Sequence, residues 1–150
     1  MAVSCATAAW FAERVGAQWA DHRARLLDLL QRDAELREVA GLLGADALQD
    51  SDRAILEVAR IVREHILGQN AFDPNDAYST LEKTGAMAEL AVAALDAANA
   101  ALDRGVAADE IDLRAVRRAF AELRRSPADL DIAIDGVREA IAAIAGEAVT

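Results

Sequence analysis

From Ser51 onward the apolar residues return at steps of three and four. Ile55, Val58, Val62 and Ile66 make one such row, widened by Ala59 and Leu67; Leu113, Val116, Phe120 and Leu123 make a second; Leu130, Ile134, Val137, Ile141 and Ile144 make a third. Side chains at those steps share one face of an α-helix, whereas a half-buried strand needs strict alternation. No stretch alternates for long enough to form a strand. The chain therefore reads as all-α, a bundle of five to six helices. Its apolar content, 54% of 150 residues and dominated by Ala and Leu, agrees with that reading, since both are strong helix formers. The length suits one domain with a real core.

Turn signals divide the rows. Between Trp10 and Leu43 the residues Leu26, Leu29, Leu30, Leu36, Val39, Leu42 and Leu43 keep a helical rhythm, so one or two helices are expected, with Gly16 and Asp33 as places for a break or bend. Gly44 is a stop, and Asp50 or Ser51 is the expected N-cap of the next helix, which makes residues 44–49, GADALQ, a turn between antiparallel helices. That next helix should run from Ser51 to Leu67 and end at Gly68. A loop of about ten residues follows, longer than the usual four to six or so, and such loops are more often functional. Ser79 with Glu82 forms a capping-box pattern opening a helix that continues to Gly105 through Leu81, Met87, Leu90, Ala94 and Leu102. Ser126 is the expected N-cap of the last helix, with Pro127 and Asp129 in its first turn. Trp10, Phe11 and Trp19 read as core anchors. Residues 1–9 form an atypical N-terminal segment ahead of a helical domain spanning 10–150.

Chemistry of its own is hard to find. The net charge is −10 and every positive side chain except Lys83 is Arg, so a polyanion is repelled by the mean field and nucleic acid is not expected as a partner. Cys5 is the sole cysteine, and His22 and His65 show no paired-ligand spacing, so no metal site is expected. No nucleophile sits in an elbow motif, which leaves no catalytic residue to name. No GxxxxGK[ST] loop is present to cradle nucleotide phosphates. The N-terminus lacks the basic flank of a signal peptide. The apolar run LAVAALDAANAAL is interrupted by Asp96 and Asn99 and falls short of the roughly 20 residues that span a bilayer, so no direct membrane insertion is expected. Arg114, Arg117, Arg118, Arg124 and Arg125 give a basic helix within an acidic protein, either a solvated face with intrachain carboxylate partners or a docking face.

The segment GQNAFDPNDAY, residues 68–78, holds Phe72 and Tyr78, two of only six aromatic residues. On composition and spacing alone these rings fit either packing beneath a long loop or binding.

The run from Leu29 to Tyr78 closely resembles the C-terminal helical domain of the catalytic A subunit, or alpha chain, of V/A-type rotary ATPases. The residues that carry the likeness are Leu29-Leu30-Gln31, Ala34-Glu35-Leu36, Gly44-Ala45-Asp46-Ala47-Leu48, Val58-Ala59-Arg60, Arg63-Glu64, Gln69-Asn70-Ala71-Phe72, Asp76 and Tyr78. It covers Trp10 to Ile111 well and the last helices only by general pattern. In that family a β-barrel and a P-loop domain precede this helical domain, and neither is present in this chain. The resemblance implies that Phe72 and Tyr78, with Gln69 and Asn70 close by, border the adenine of ATP, while phosphate and Mg contacts belong to the central domain of the complete protein. It also implies that the turn carrying Asp46, Leu48, Asp50 and Asp52 meets the central rotor shaft. The implied partners are the non-catalytic B subunits and that shaft, in a cytoplasmic complex peripheral to the membrane that couples ATP turnover to proton or sodium transport. Catalytic silence of the chain by itself follows.

Departures from the family pattern are local. Ile66 stands where Phe is usual, Gly68 where the first Gln of a pair is usual, and Ser79-Thr80 where Cys-Pro is common; an aromatic pair near Ala94 and Leu95 and a Leu-Pro after Ile111 are absent. A truncated, diverged or excised copy of the domain is the expectation. The alternatives are a stand-alone helical interaction module derived from that domain and a small helical enzyme with its own pocket.

Overall fold

The computed structural model of the chain describes residues 9–10, 13–68, 80–126 and 130–146. Among the described residues five α-helices carry the fold, preceded by helical residues at 13–15: α1 (Trp19–Leu43), α2 (Asp50–Ile61), α3 (Leu81–Asp103), α4 (Leu113–Arg125) and α5 (Leu130–Ala145). A 3-10 turn, Ala45–Ala47, joins α1 to α2, and a π-helical segment, Val62–Leu67, extends α2. No strand occurs among the described residues, and the all-α bundle expected from the periodicity is what forms.

The middle of the bundle is α3, which touches α1, α2, α5 and the π segment. Its buried alanines explain the position: Ala91, Ala94, Ala98 and Ala101 are fully buried at steps of three and four, and small side chains let neighbouring helices approach closely. With 23 residues this helix is long and apolar enough to cross a membrane, but over half of its most apolar window, 56%, is buried against other helices, as in the core helix of a globular domain. The rows read from the sequence face inward. Val58 and Val62 on α2 and the turn that extends it, Val116, Phe120 and Leu123 on α4, and Val137 on α5 are essentially sealed. The last helix packs on both α3 and α4.

Several local expectations are corrected. Asp33 does not bend α1, which runs unbroken for 25 residues, because the carboxylate is neutralised by Arg37 one turn along and by Arg63 on the neighbouring segment. The break lies at Gly16, after which α1 begins at Trp19. Neither Asp50 nor Ser51 caps α2; Gln49 holds that position without a side-chain hydrogen bond, and Asp50 is already helical. The helical segment that begins at Asp50 does run to Leu67 and stop at Gly68 as expected, but its last six residues, Val62–Leu67, take π geometry. Thr80 caps α3, its hydroxyl accepting from the Lys83 amide at 3.2 Å, so the start lies one residue beyond the Ser79 box, and Ser79 itself is outside the described residues. Ser126 closes α4, donating its N–H to the Leu123 carbonyl; the cap expected of it for α5 would act on residues 127–129, Pro127 and Asp129 among them, which lie outside the described residues. Trp10 is exposed and stacks beneath the Arg14 guanidinium, 4.3 Å from ring centre, instead of filling the core. Trp19 does pack against the core, and Phe11 is outside the described residues.

Gly85 sets how close the N-terminal segment lies to α3. A Cβ there would stand 2.0 Å from Val15 Cγ1, far inside contact distance. Gly85→Ala should therefore displace residues 13–15 and lower stability by about 1–3 kcal/mol through overpacking. Amide exchange should show the loss of protection confined to that segment, with α4 and α5 unchanged.

Candidate functional site

Two features stand at the ends of the α1–α2 hairpin, and the first carries Asp46, Leu48, Asp50 and Asp52. The first is the tip. Gly44 stops α1 at φ 88°, a left-handed value that side-chain-bearing residues avoid, and its N–H still bonds to the Ala40 carbonyl at 2.9 Å. The 3-10 turn then leaves Asp46 exposed. Leu48 turns inward, 6% exposed, and so braces the turn from beneath. Asp50 Oδ2 accepts the Ala108 amide at 3.2 Å, which ties the tip to the segment between α3 and α4, and Asp52 is half-buried. The outer surface of the tip is as apolar as it is acidic. Leu42 and Leu43 are 79% and 72% exposed, although they continue the apolar rhythm of α1. Phase accounts for Leu42, which six residues past Leu36 falls roughly 120° round the helix from it; Leu43 stays within about 20° of Leu36 but is the last residue of α1, beyond the packed part of that face.

The second feature is the π segment at the other end of α2. Its Arg63 reaches across to α1, with Nη2 donating to Asp33 Oδ1 at 3.3 Å and Nε 3.2 Å from Oδ2. Asp33 is 1% exposed, and Arg37 Nε lies 3.1 Å from the same Oδ2. Because the two residues lie almost equally far from the tip along the chain, their meeting is what an antiparallel hairpin requires. On the opposite side, Arg124 of α4 donates to the Glu64 carbonyl at 2.7 Å. Lys83, buried at the start of α3, donates to the carbonyls of Arg124 and Ser126 at 2.5 and 3.5 Å, placing its ammonium at the C-terminal end of α4. α1, α3 and α4 thus all hold the ground from which the chain departs at Gly68 and to which it returns at Thr80. Gln69, Asn70, Phe72 and Tyr78 lie outside the described residues.

Electrostatics around the π segment are mixed. The Arg60 hydrogen bond, 2.7 Å long, holds the Glu64 carboxyl below the usual carboxylate range. Burial pushes His65 below its ordinary value of 6.5, with Arg124, Arg117 and Arg125 adding to the shift and Glu64 opposing it, and neither ring nitrogen has a hydrogen-bond partner. Folding therefore favours neutral His65. Between its depressed native pKa and about 6.5 the unfolded chain binds the extra proton, so stability is complete above 6.5 and declines as pH falls through that window. The Glu64 contribution is lost in a separate window below 4.5. Urea titrations at pH 7.5 and 5.5 should show a drop in midpoint that His65→Gln reduces.

The α4 arginines are largely employed within the chain. Arg117 lies 3.8 Å from Glu57 and Arg125 2.7 Å from Glu122, while Arg124 serves the Glu64 carbonyl; Arg114 and Arg118 are exposed. A hollow of about 210 Å³ between α2, the 108–111 turn and α4 is lined by Arg53 and Arg114 but also by Glu57 and Asp109, so it carries no strong net charge. Among the described residues no three His, Cys, Asp or Glu side chains converge as metal ligands. Lys83 is committed to two helix-end carbonyls.

Residues 8–111 match the family model described as the C-terminal domain of V and A type ATP synthase. The A subunit of the A-type ATP synthase of Methanopyrus kandleri is 43% identical over 102 residues, 68% of this chain and 17% of the relative. The V-type ATP synthase alpha chain of Clostridium novyi is 44% identical over 102 residues, again 68% of this chain and 17% of the relative. The corresponding A-type A subunit of Thermococcus onnurineus is 37% identical over 118 residues, covering 79% of this chain and 20% of the relative. The chain thus spans only about a sixth to a fifth of the length of these curated relatives. Both the tip and the π segment fall inside the matched region, whereas α4 and α5 lie beyond it.

Proposed function

The chain belongs to the family of C-terminal domains of V and A type ATP synthases, and from that membership we propose that it acts as the follower in a rotary ATPase, relaying nucleotide-driven movement to a central shaft. In this reading Phe72 and Tyr78, flanked by Gln69 and Asn70, border the adenine of ATP or ADP. The phosphates and Mg are held by a P-loop domain of the complete protein. A flat purine gains about 1–3 kcal/mol on an aromatic face without needing a local charge, which suits a segment with no phosphate-binding group of its own. The chain by itself turns over no ATP.

The observation that carries the reading is the placement of both features at opposite ends of one stiff hairpin, within the matched residues 8–111. A displacement where α2 leaves toward the nucleotide swings the tip, and the tip pushes the shaft. Asp46 and the exposed Leu42 and Leu43 are the contact surface, with Asp52 at its margin; Leu48 and Asp50 hold the turn in shape. Exposed acidic pairs contribute under about 1 kcal/mol each, so the apolar tip carries most of the contact. The neighbours in the assembly are the non-catalytic B subunits, and the whole sits in the cytoplasm, peripheral to the membrane, coupling ATP synthesis or hydrolysis to proton or sodium transport.

The test is an exchange of residues 8–111 into the homologous chain of the Methanopyrus kandleri enzyme, with Cys introduced at Leu42 and, separately, at the exposed Arg32 in the middle of α1. A thiol-reactive benzophenone attached to the new cysteine, which inserts into a neighbouring C–H bond on irradiation, should link the Leu42→Cys chimera to the central shaft and leave Arg32→Cys unlinked. Assembly of the complex with no link from Leu42→Cys would remove the rotor role.

A further inference from the structure

The change from α to π geometry at Val62 is unexplained by α2's own sequence, which keeps its apolar row through Ile66. Single turns of π-helix inside α-helices are uncommon and concentrate at functional sites. Three contacts account for this one. A Cβ at Gly68 would lie 2.9 Å from both the Arg63 and Glu64 carbonyl oxygens; both are backbone atoms, so only glycine tolerates the approach. Arg124 donates to the Glu64 carbonyl at 2.7 Å, the acceptor that the Gly68 amide would take if the helix kept its i to i+4 pattern. Arg63 is drawn to Asp33, a carboxylate 1% exposed. That last contact is incomplete: Asp33 Oδ2 and Arg63 Nε are both buried without a directional hydrogen bond although only 3.2 Å apart.

We propose that Val62–Leu67 is a two-register turn, held in its wide register by Gly68, Arg124 and Asp33, and that these are positioning residues for the segment that begins at Gln69. A shift to the α register would turn the point of departure by about 100° and move it by about 1.5 Å. It would also free the Glu64 carbonyl from Arg124 and carry Arg63 off Asp33. The register is thereby linked to α1 and its tip through Asp33, and to α4 through Arg124. Its consequence for nucleotide rests on the proposed function, in which the following segment borders adenine; the register itself does not.

Scalar couplings across hydrogen bonds, measured by NMR on the isotopically labelled full chain without nucleotide, report each amide's acceptor directly. In the wild type the amide of Leu67 should couple to the carbonyl of Val62. In Gly68→Ala and in Asp33→Asn that coupling should vanish and one to the carbonyl of Arg63 should replace it. Leu67→Ala, a change at a side chain 61% exposed, should keep the wild-type pattern. A wild type already coupled to Arg63, a Gly68→Ala chain that keeps Val62 as acceptor, or a Leu67→Ala chain that also shifts would each overturn the proposal. Should Asp33→Asn fail to fold, Gly68→Ala decides. Because no nucleotide is present, failure here leaves the adenine assignment standing, and failure of that assignment leaves the register result intact.

Discussion

Phe120→Ala should lower the stability of the chain by about 3–5 kcal/mol, the range for deleting a ring from a close-packed core. Among the described residues Phe120 is the largest fully buried side chain, at 0% exposure, on a helix that touches α2, α5 and the π segment. The matched region ends at residue 111, one residue before the cap of α4, so this result decides whether α4 and α5 are integral to the domain or merely appended. Equilibrium urea denaturation measures it, with Arg118→Ala, an exposed change expected within about 0.5 kcal/mol of wild type, as the comparison. A Phe120→Ala loss under about 1 kcal/mol would mean that the bundle holds together without its last two helices.

The second large effect is at Arg63. Arg63→Met keeps the aliphatic stem and removes the charge, leaving the Asp33 carboxylate buried beside Arg37 alone. Breaking a buried pair from one side typically costs about 3–5 kcal/mol because a charge is left without its partner. Arg37 stays in place and Arg63 is itself 36% exposed, so solvent screening reduces the expected loss to about 2–3 kcal/mol. Adding Asp33→Asn should recover part of that loss, since the buried side chain then carries no charge. A double-mutant cycle by urea denaturation gives the coupling. Simple additivity of the two changes would show that the contact holds α1 and the π segment together no more than ordinary packing does.

The helices were legible where aliphatic side chains repeat at three and four. Val116, Phe120 and Leu123, or Val137, Ile141 and Ile144, announce a face whatever it packs against. Gly44 was legible for the same local reason, since few other residues adopt its φ. Asp33 was not, because an acid inside an apolar row reads as a bend until Arg63, thirty residues away, is brought beside it. Nor was the exposure of Trp10, whose ring finds Arg14 on its own segment instead of the core. The caps of α2 and α3 each missed their expected residue: at α3 Thr80 takes the position beside Ser79, and at α2 Asp50 accepts the Ala108 amide while Gln49 holds the cap without a side-chain bond. The tip was found by motif, yet its outward surface includes Leu42, which is out of phase with the buried row, and Leu43, which is in phase but ends the helix. The π turn left no periodic trace, because its causes are a close approach at Gly68 and guests from α1 and α4. The proposal that Gln69, Asn70, Phe72 and Tyr78 border adenine rests on the likeness of sequence.

The most direct measurement is the KM for ATP of the Methanopyrus kandleri chimera carrying residues 8–111, with Phe72→Ala and Tyr78→Ala introduced separately. A ring that stacks on the purine and takes no part in phosphate chemistry should, when removed, raise KM by about 5- to 150-fold, the equivalent of about 1–3 kcal/mol, with kcat changed less than about twofold. An unchanged KM in both variants of an assembled, active chimera would contradict the account.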